Sequence, residues 1–129
     1  MSYKRLVLNR IKTPDGTLLT SYHQHDYVTY VDDNGLEYMV DGGSFYARRN
    51  VHDDFPYEEL SIYECAPFEI IRKVLSWGTR GQKVDKPLIW IVLEDMETDH
   101  IEKCLEIPNI DKMYKDFFEK ELKYRGMVR

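Results

Sequence analysis

At 129 residues the chain suits one domain, long enough to bury a core and too short for two comfortable ones. A hydrophobic share of 43%, with 10 Tyr, 5 Phe and 2 Trp, excludes a disordered chain, and a formal net charge of −5 disfavours a duplex-DNA binder, which needs a basic face to release counterions from phosphates. No apolar run approaches the roughly 20 residues of a membrane span, and the start "MSYKRLVLNRIK" lacks a signal peptide's apolar core, so a cytoplasmic protein with no membrane partner and no sequence-specific nucleic acid is expected.

The first half reads as β-structure, in short runs of Val, Tyr, Thr and Ile separated by turn signals. "RLVLNRIK" and "TLLTSY" flank "TPDG", where Pro14 presets the second turn position and Gly16 is free to take positive φ. "DYVTYV" and "LEYMV" flank "DDNG", and Asn34-Gly35 between two β-rich runs is a strong hairpin signal. In that hairpin Tyr27, Thr29 and Val31 point one way and Val28 and Tyr30 the other. Neither side is plainly polar, which leaves room for both faces to be covered, by helices or by another subunit. Asp41-Gly42-Gly43 predicts a tight backbone bend, and "YEELSIYE" is a further strand.

The second half reads as mainly helical. "APFEIIRKVLSWG" carries Pro67 at the first helical position, Phe68, Ile71 and Leu75 near one face, and Gly78 as a C-terminal cap, a helix of about three turns. "KPLIWIVLED" is an apolar run of strand length and is expected to be a buried strand near 88–93. Thr98 is the expected N-cap of "DHIEKCLE", and "IDKMYKDFFEKELKYR" repeats apolar residues at helical spacing with a broad apolar face. The expected fold is therefore α+β within a single domain over 1–129. Antiparallel hairpins occupy residues 1–64, and about three helices with one further buried strand occupy 65–129.

Charge is uneven along the chain. Residues 1–60 hold ten Asp/Glu against six Lys/Arg, whereas residues 72–86 hold Arg72, Lys73, Arg80, Lys83 and Lys86 against Asp85 alone. Cys65 and Cys104 belong to no Cys-rich pattern, so two reduced thiols are expected rather than a disulfide or a metal knuckle. His23 and His25 in "SYHQHDY" would project from one face of a strand and could converge on an ion. A zinc site usually takes three or four ligands, and His52 and His100 add no metal-ligand spacing. No nucleophile elbow, His-Glu-x-x-His or phosphate-binding glycine loop is present. No metal, no cofactor and no catalytic residues are assigned, and a non-enzymatic role is expected.

Binding chemistry is better represented. A nucleotide needs an aromatic or guanidinium plane for its base and N–H groups or Arg/Lys for its phosphates. "WGTRGQK" supplies Trp77 as a plane, Thr79 as a hydroxyl, Arg80 and Lys83 as cations, with Gly78 and Gly81 where backbone can approach. "FYARRN" sets Arg48 and Arg49 behind two aromatics, and with His23 and His25 these complete the candidate ligand rim. Simpler readings stand beside these: a glycine cap behind a core Trp, and a surface salt-bridge cluster.

Together "RIKTPDGTLLTSYHQHDYVTYVDDNGLEYMVDGG", "YARRN", "WGTRG" and "DKPLIWIVLEDMETDHI" resemble a family of small proteins of bacteriophages and prophages, over nearly the whole chain. Some members carry cysteines at the hairpin turns; "TPDG" and "DDNG" stand there here, so a family zinc site is not expected. The family is similar to the Thoeris anti-defence proteins, which sequester cyclic ADP-ribose isomers made by bacterial TIR-domain immune sensors. That resemblance implies a phage-encoded sponge acting in the cytoplasm of the infected host, a homodimer or higher oligomer. It binds a nucleotide-derived signal, a cyclic ADP-ribose isomer or a cyclic oligonucleotide, without turnover. The rival readings are an inhibitor that binds a host defence enzyme and an enzyme that degrades the signal.

Overall fold

In the computed structural model the described residues are 5–52, 54–79 and 88–126. In chain order the elements are β1 (Leu6–Lys12), β2 (Leu18–Ser21), β3 (Val28–Val31), β4 (Glu37–Asp41), β5 (Arg48–Asn50), β6 (Glu58–Glu59), β7 (Ile62–Tyr63), α1 (Phe68–Val74), β8 (Ser76–Thr79), β9 (Ile89–Val92), a 3-10 turn (Leu93–Asp95), α2 (Thr98–Cys104) and α3 (Lys112–Tyr124). The fold is α+β, as the periodicities require. It divides into two compact units, Met1–Leu75 and Ser76–Arg129, with α1 grouped with the β-rich unit.

Two turns of the same construction shape the first unit. In the β1–β2 hairpin the Gly16 N–H donates to the Thr13 carbonyl at 2.9 Å and the Thr13 N–H to the Thr17 carbonyl at 2.9 Å, with Gly16 at φ 90. In the β3–β4 hairpin Gly35 donates to Asp32 and Asp32 to Leu36, each at 3.0 Å, with Gly35 at φ 81. Each loop begins with an ordinary tight turn and closes with one left-handed glycine, so Asn34 need not enter the left-handed region itself. An aspartate carboxylate completes each loop. Asp15 accepts from the Thr17 N–H at 3.1 Å, and Asp32 from the N–H groups of Asn34 and Leu36, each at 2.9 Å.

Antiparallel pairing gives a sheet in which β1 is central, with β2 on one side and β6 and β7 in succession on the other. A second sheet has the order β3-β4-β5. "YEELSIYE" does not form one strand, because the Ser61 hydroxyl accepts the Arg10 N–H at 3.0 Å and divides β6 from β7. The core gathers Ile11, Leu19, Tyr38 and Val40, with Val28, Tyr30, Leu36, Val51 and Tyr57 packed around them. Burying each aliphatic side chain in such a core is worth about 1.5–3 kcal/mol. Val28 and Tyr30 face that core, while Tyr27 and Val31 are 58% and 57% exposed. Within the described residues of this single chain the side of the sheet carrying Tyr27, Thr29 and Val31 is therefore exposed.

The expected bend at Asp41-Gly42-Gly43 is present and buried. Gly42 takes φ 96, and a Cβ there would lie 2.1 Å from the Tyr46 carbonyl oxygen, so only glycine fits. Its N–H donates to the Ser21 hydroxyl at 2.9 Å, which ties the bend to the end of β2.

In the second unit α3 follows its sequence period: Met113, Tyr114, Phe117, Phe118, Glu121 and Leu122 are buried. Asp111 caps it, accepting from the N–H groups of Met113 at 3.0 Å and Tyr114 at 3.3 Å. The cap expected at Thr98 is displaced by one residue: Glu97 holds the cap position of α2 without a side-chain bond, and the Thr98 hydroxyl accepts from Arg125 at 3.0 Å. The strand expected near 88–93 exists as β9 but is only half-buried, with Ile89 58% exposed. Its partner β8 was expected to be the end of a helix. That helix, α1, stops at Val74, Leu75 turns extended, and "SWGT" pairs antiparallel with β9.

Candidate functional site

The β8–β9 hairpin positions the candidate site. Its register sets Ser76 opposite Val92, Trp77 opposite Ile91, Gly78 opposite Trp90 and Thr79 opposite Ile89. Strand alternation therefore puts Trp77, Thr79, Ile89 and Ile91 on one face and Gly78 and Trp90 on the other. Gly78 is not a helix cap. A Cβ at Gly78 would sit 3.1 Å from the Trp90 ring, so its missing side chain is the space that the cross-strand indole occupies.

Trp77 is held by α3. Its ring meets those of Tyr114 and Phe118 edge-on, with centroids 5.2 Å away in both cases, and the Tyr114 hydroxyl donates to the Ser76 carbonyl at 3.0 Å. The indole thus belongs partly to the core of this unit. It also forms one wall of an open cleft of about 860 Å³. Gly78, Thr79, Leu88 and Ile91 complete the hairpin wall; Asp95, Glu97, Asp99, His100, Lys103, Cys104 and Ile107 form the other.

The electrostatics of that second wall differ from the sequence expectation. Three carboxylates face the cleft beside Lys103 and His100, and among the described residues Asp95, Glu97 and Asp99 have no hydrogen-bond or ion-pair partner for their side chains. Burial pushes the Cys104 thiol up to about 11, so it stays protonated at neutral pH and is a poor nucleophile. Sequence reading passed over this wall. The signal was there in "LEDMETDHIEKC", a run of acids leading into a helix with His100, Lys103 and Cys104 at spacings three and four.

Of the residues singled out from sequence, Trp77 and Thr79 line the cleft, while Arg80 and Lys83 lie outside the described residues. Arg48, Arg49, His23 and His25 belong to the first unit. As neighbours in β5, Arg48 and Arg49 point to opposite sides. Arg48 donates from Nε at 3.1 Å and Nη2 at 2.5 Å to the buried Asp41 carboxylate, which pushes its own pKa up, and stays 64% exposed. Arg49 turns to the other side, donating to Asn9 Oδ1 at 2.7 Å, to the Ser61 hydroxyl and to Glu59 at 3.4 Å, which occupies it structurally.

His23 and His25 sit in the turn after β2, not in a strand, so the alternation that would aim both at one ion is not formed. His23 Nδ1 lies 2.8 Å from the Gln24 carbonyl. His25 takes φ 66; its N–H donates to the Tyr46 hydroxyl at 2.8 Å, and its Nδ1 lies 3.3 Å from the same oxygen. Tyr46 in turn donates to Asp41 at 3.4 Å, so His25, Tyr46, Asp41 and Arg48 form one connected network that sequence reading did not anticipate.

Compared with known protein families, characterised proteins and solved structures, the chain matches none.

Proposed function

We propose that the chain is a binding protein that sequesters a nucleotide-derived molecule without turnover, in the cleft of its second unit. The observation that carries this reading is the cleft of about 860 Å³ walled by an indole whose orientation Tyr114 and Phe118 hold. Its size suits a small-molecule ligand, and a preset aromatic plane lowers the entropy lost on stacking a base. Thr79 ends β8 on the same face as Trp77, and the chain runs on directly into Arg80 and Lys83, the cations this reading assigns to the phosphates. The protonated Cys104 thiol supports holding a ligand rather than attacking it.

With the resemblance to phage anti-defence proteins, the ligand is a cyclic ADP-ribose isomer or a cyclic oligonucleotide immune signal. The setting is the cytoplasm of an infected bacterium, and the assembly is a homodimer or higher oligomer. Calorimetry with a panel of those compounds, followed by chromatography of the released ligand, tests the proposal. Saturable heat and recovery of intact ligand are expected. No heat across the panel overturns the reading, and a converted ligand replaces it with an enzyme.

One observation favours a second reading, an inhibitor that docks on a host protein: the open sheet face with Tyr27 and Val31 each more than half exposed. A pull-down from host lysate separates the two, since this reading requires a retained protein and the first a retained small molecule.

A further inference from the structure

An antiparallel sheet with one face in water carries polar residues on that face, and β3 departs from the rule. Val28 and Tyr30 turn to the core, while the outward side holds Val31, with Tyr27 one residue before the strand, and both are more than half exposed. The register extends that side across the sheet. Thr29, Met39 and Asn50 form one row over β3, β4 and β5, and Val31 and Glu37 form the next row toward the hairpin turn. Arg48 lies opposite Asp41 on the same side, at the end of the sheet where Tyr27 enters. Asp41 and Glu37 are four residues apart in β4, so the two ends are separated by about 14 Å.

Those ends carry opposite charges. Asp41 takes the Nε and Nη2 of Arg48, which stays 64% exposed, and Nη1 has no partner among the described residues. The exposed Glu37 accepts from Asn50 on its carbonyl, while its carboxylate has no hydrogen-bond or ion-pair partner among the described residues. A surface with an apolar middle, a cation at one end and an anion at the other is complementary to itself. A twofold axis lying in this face along the Thr29, Met39 and Asn50 row reverses the strands and brings each Arg48 to the end that holds Glu37 of the second copy. The remaining offset is one strand spacing, about 4.8 Å, which an arginine side chain spans. The same rotation lays Tyr27 against Val31 of the second copy, so the exposed apolar groups cover one another.

We propose that the outward side of the β3-β4-β5 sheet is the surface on which two copies of this chain pair about a twofold axis, with Arg48 of each copy against Glu37 of the other. The proposal stands on the first unit alone and goes beyond the ligand reading, which concerns the cleft of the second. It also gives this side an occupant other than a host protein. Three strands of three to five residues make a patch smaller than the roughly 800 Å² per partner of a standard interface, so the pairing is reversible and of micromolar strength.

Sedimentation velocity of the full chain between about 1 and about 300 µM tests it, and a reversible monomer–dimer equilibrium with a Kd on the order of 10 µM is expected. Val31→Asp and Glu37→Arg both change exposed positions. The first puts a carboxylate against Tyr27 of the second copy and the second sets an arginine against its Arg48, so each is expected to raise Kd about tenfold or more. Ile70→Asp, at an exposed position of α1 and outside that sheet, is expected to leave Kd unchanged. Circular dichroism confirms that the variants are folded.

A chain that stays monomeric over the whole range overturns the proposal and leaves the cleft reading standing, because calorimetry of the cleft needs no dimer. A dimer whose Kd is unmoved by either Val31→Asp or Glu37→Arg, or is moved as much by Ile70→Asp, also overturns it, since the contact then lies elsewhere.

Discussion

Arg125 Nε donates to the carboxylate of Glu121 at 2.7 Å, one turn back along α3, and that carboxylate is fully buried. The other guanidinium nitrogens reach the Thr98 hydroxyl at 3.0 Å and the carbonyls of Leu93 and Glu94 at 3.2 and 3.4 Å. One side chain therefore ties the end of α3 to the 3-10 turn and the start of α2, the wall of the cleft.

Removing that guanidinium strips a buried carboxylate of its described counter-charge, which in comparable cases costs about 3–5 kcal/mol. Arg125→Met is expected to lower the denaturation midpoint by a loss of that order. Adding Glu121→Leu is expected to recover much of it, since an apolar pair of similar volume tolerates burial better than a carboxylate that has lost this guanidinium. Urea unfolding of the two variants checks both statements.

Two glycines in left-handed turns predict opposite severities. At Gly42 an added methyl meets the Tyr46 carbonyl oxygen at 2.1 Å, whereas at Gly35 nothing lies within 4 Å. Gly35→Ala is expected to cost only the left-handed strain, about 1–2 kcal/mol. Gly42→Ala adds a backbone clash and is expected to cost more than that, read from the same unfolding curves.

Asp15 is held well below the usual carboxylate range by hydrogen bonds from the Thr13 and Tyr30 hydroxyls. A depressed folded pKa means that Asp15 favours the folded state above the unfolded value of about 3.9 and loses that contribution as pH falls below it. An Asp15→Asn variant is expected to be less stable at pH 7 and to lose less stability on acidification, so the two curves converge below about pH 4. Unfolding midpoints measured between pH 2 and pH 7 decide this, and parallel curves would refute the role given to the carboxylate.

The two cysteines are expected to behave differently toward a thiol reagent. Cys65 is exposed, while Cys104 is buried and its thiol pushed up to about 11. At pH 7.5 one thiol per chain is expected to react with Ellman's reagent in native protein and two in denaturant. Rapid reaction of both in native protein would show that the wall of α2 opens.

The elements set by neighbours in sequence were legible. Gly16 and Gly35 each permit the left-handed close of a tight turn, so both hairpins followed from four-residue signals. The apolar period of α3 likewise shows in "MYKDFFEKEL" without knowledge of its partners. Local chemistry also marked the bend at Gly42, although the atom that forbids a side chain there, the Tyr46 carbonyl oxygen, could not be named.

What sequence by itself determined is thus an α+β chain with two hairpins, a glycine bend and an amphipathic final helix, because turn dihedrals and helical periodicity are properties of a few adjacent residues. Tertiary structure decided the rest. "SWGT" has no local preference strong enough to refuse a helical turn; it is a strand because β9 supplies hydrogen-bond partners and the Trp90 indole fills the space over Gly78. That single pairing turns Gly78 from a cap into a contact and gives Trp77 and Thr79 a common face. It also brings Asp95, Glu97 and Asp99, up to 22 positions away, to the same cleft as Trp77. The adjacent Arg48 and Arg49 part for the same kind of reason, since only membership of a strand sends neighbours to opposite sides, one to Asp41 and the other to Asn9.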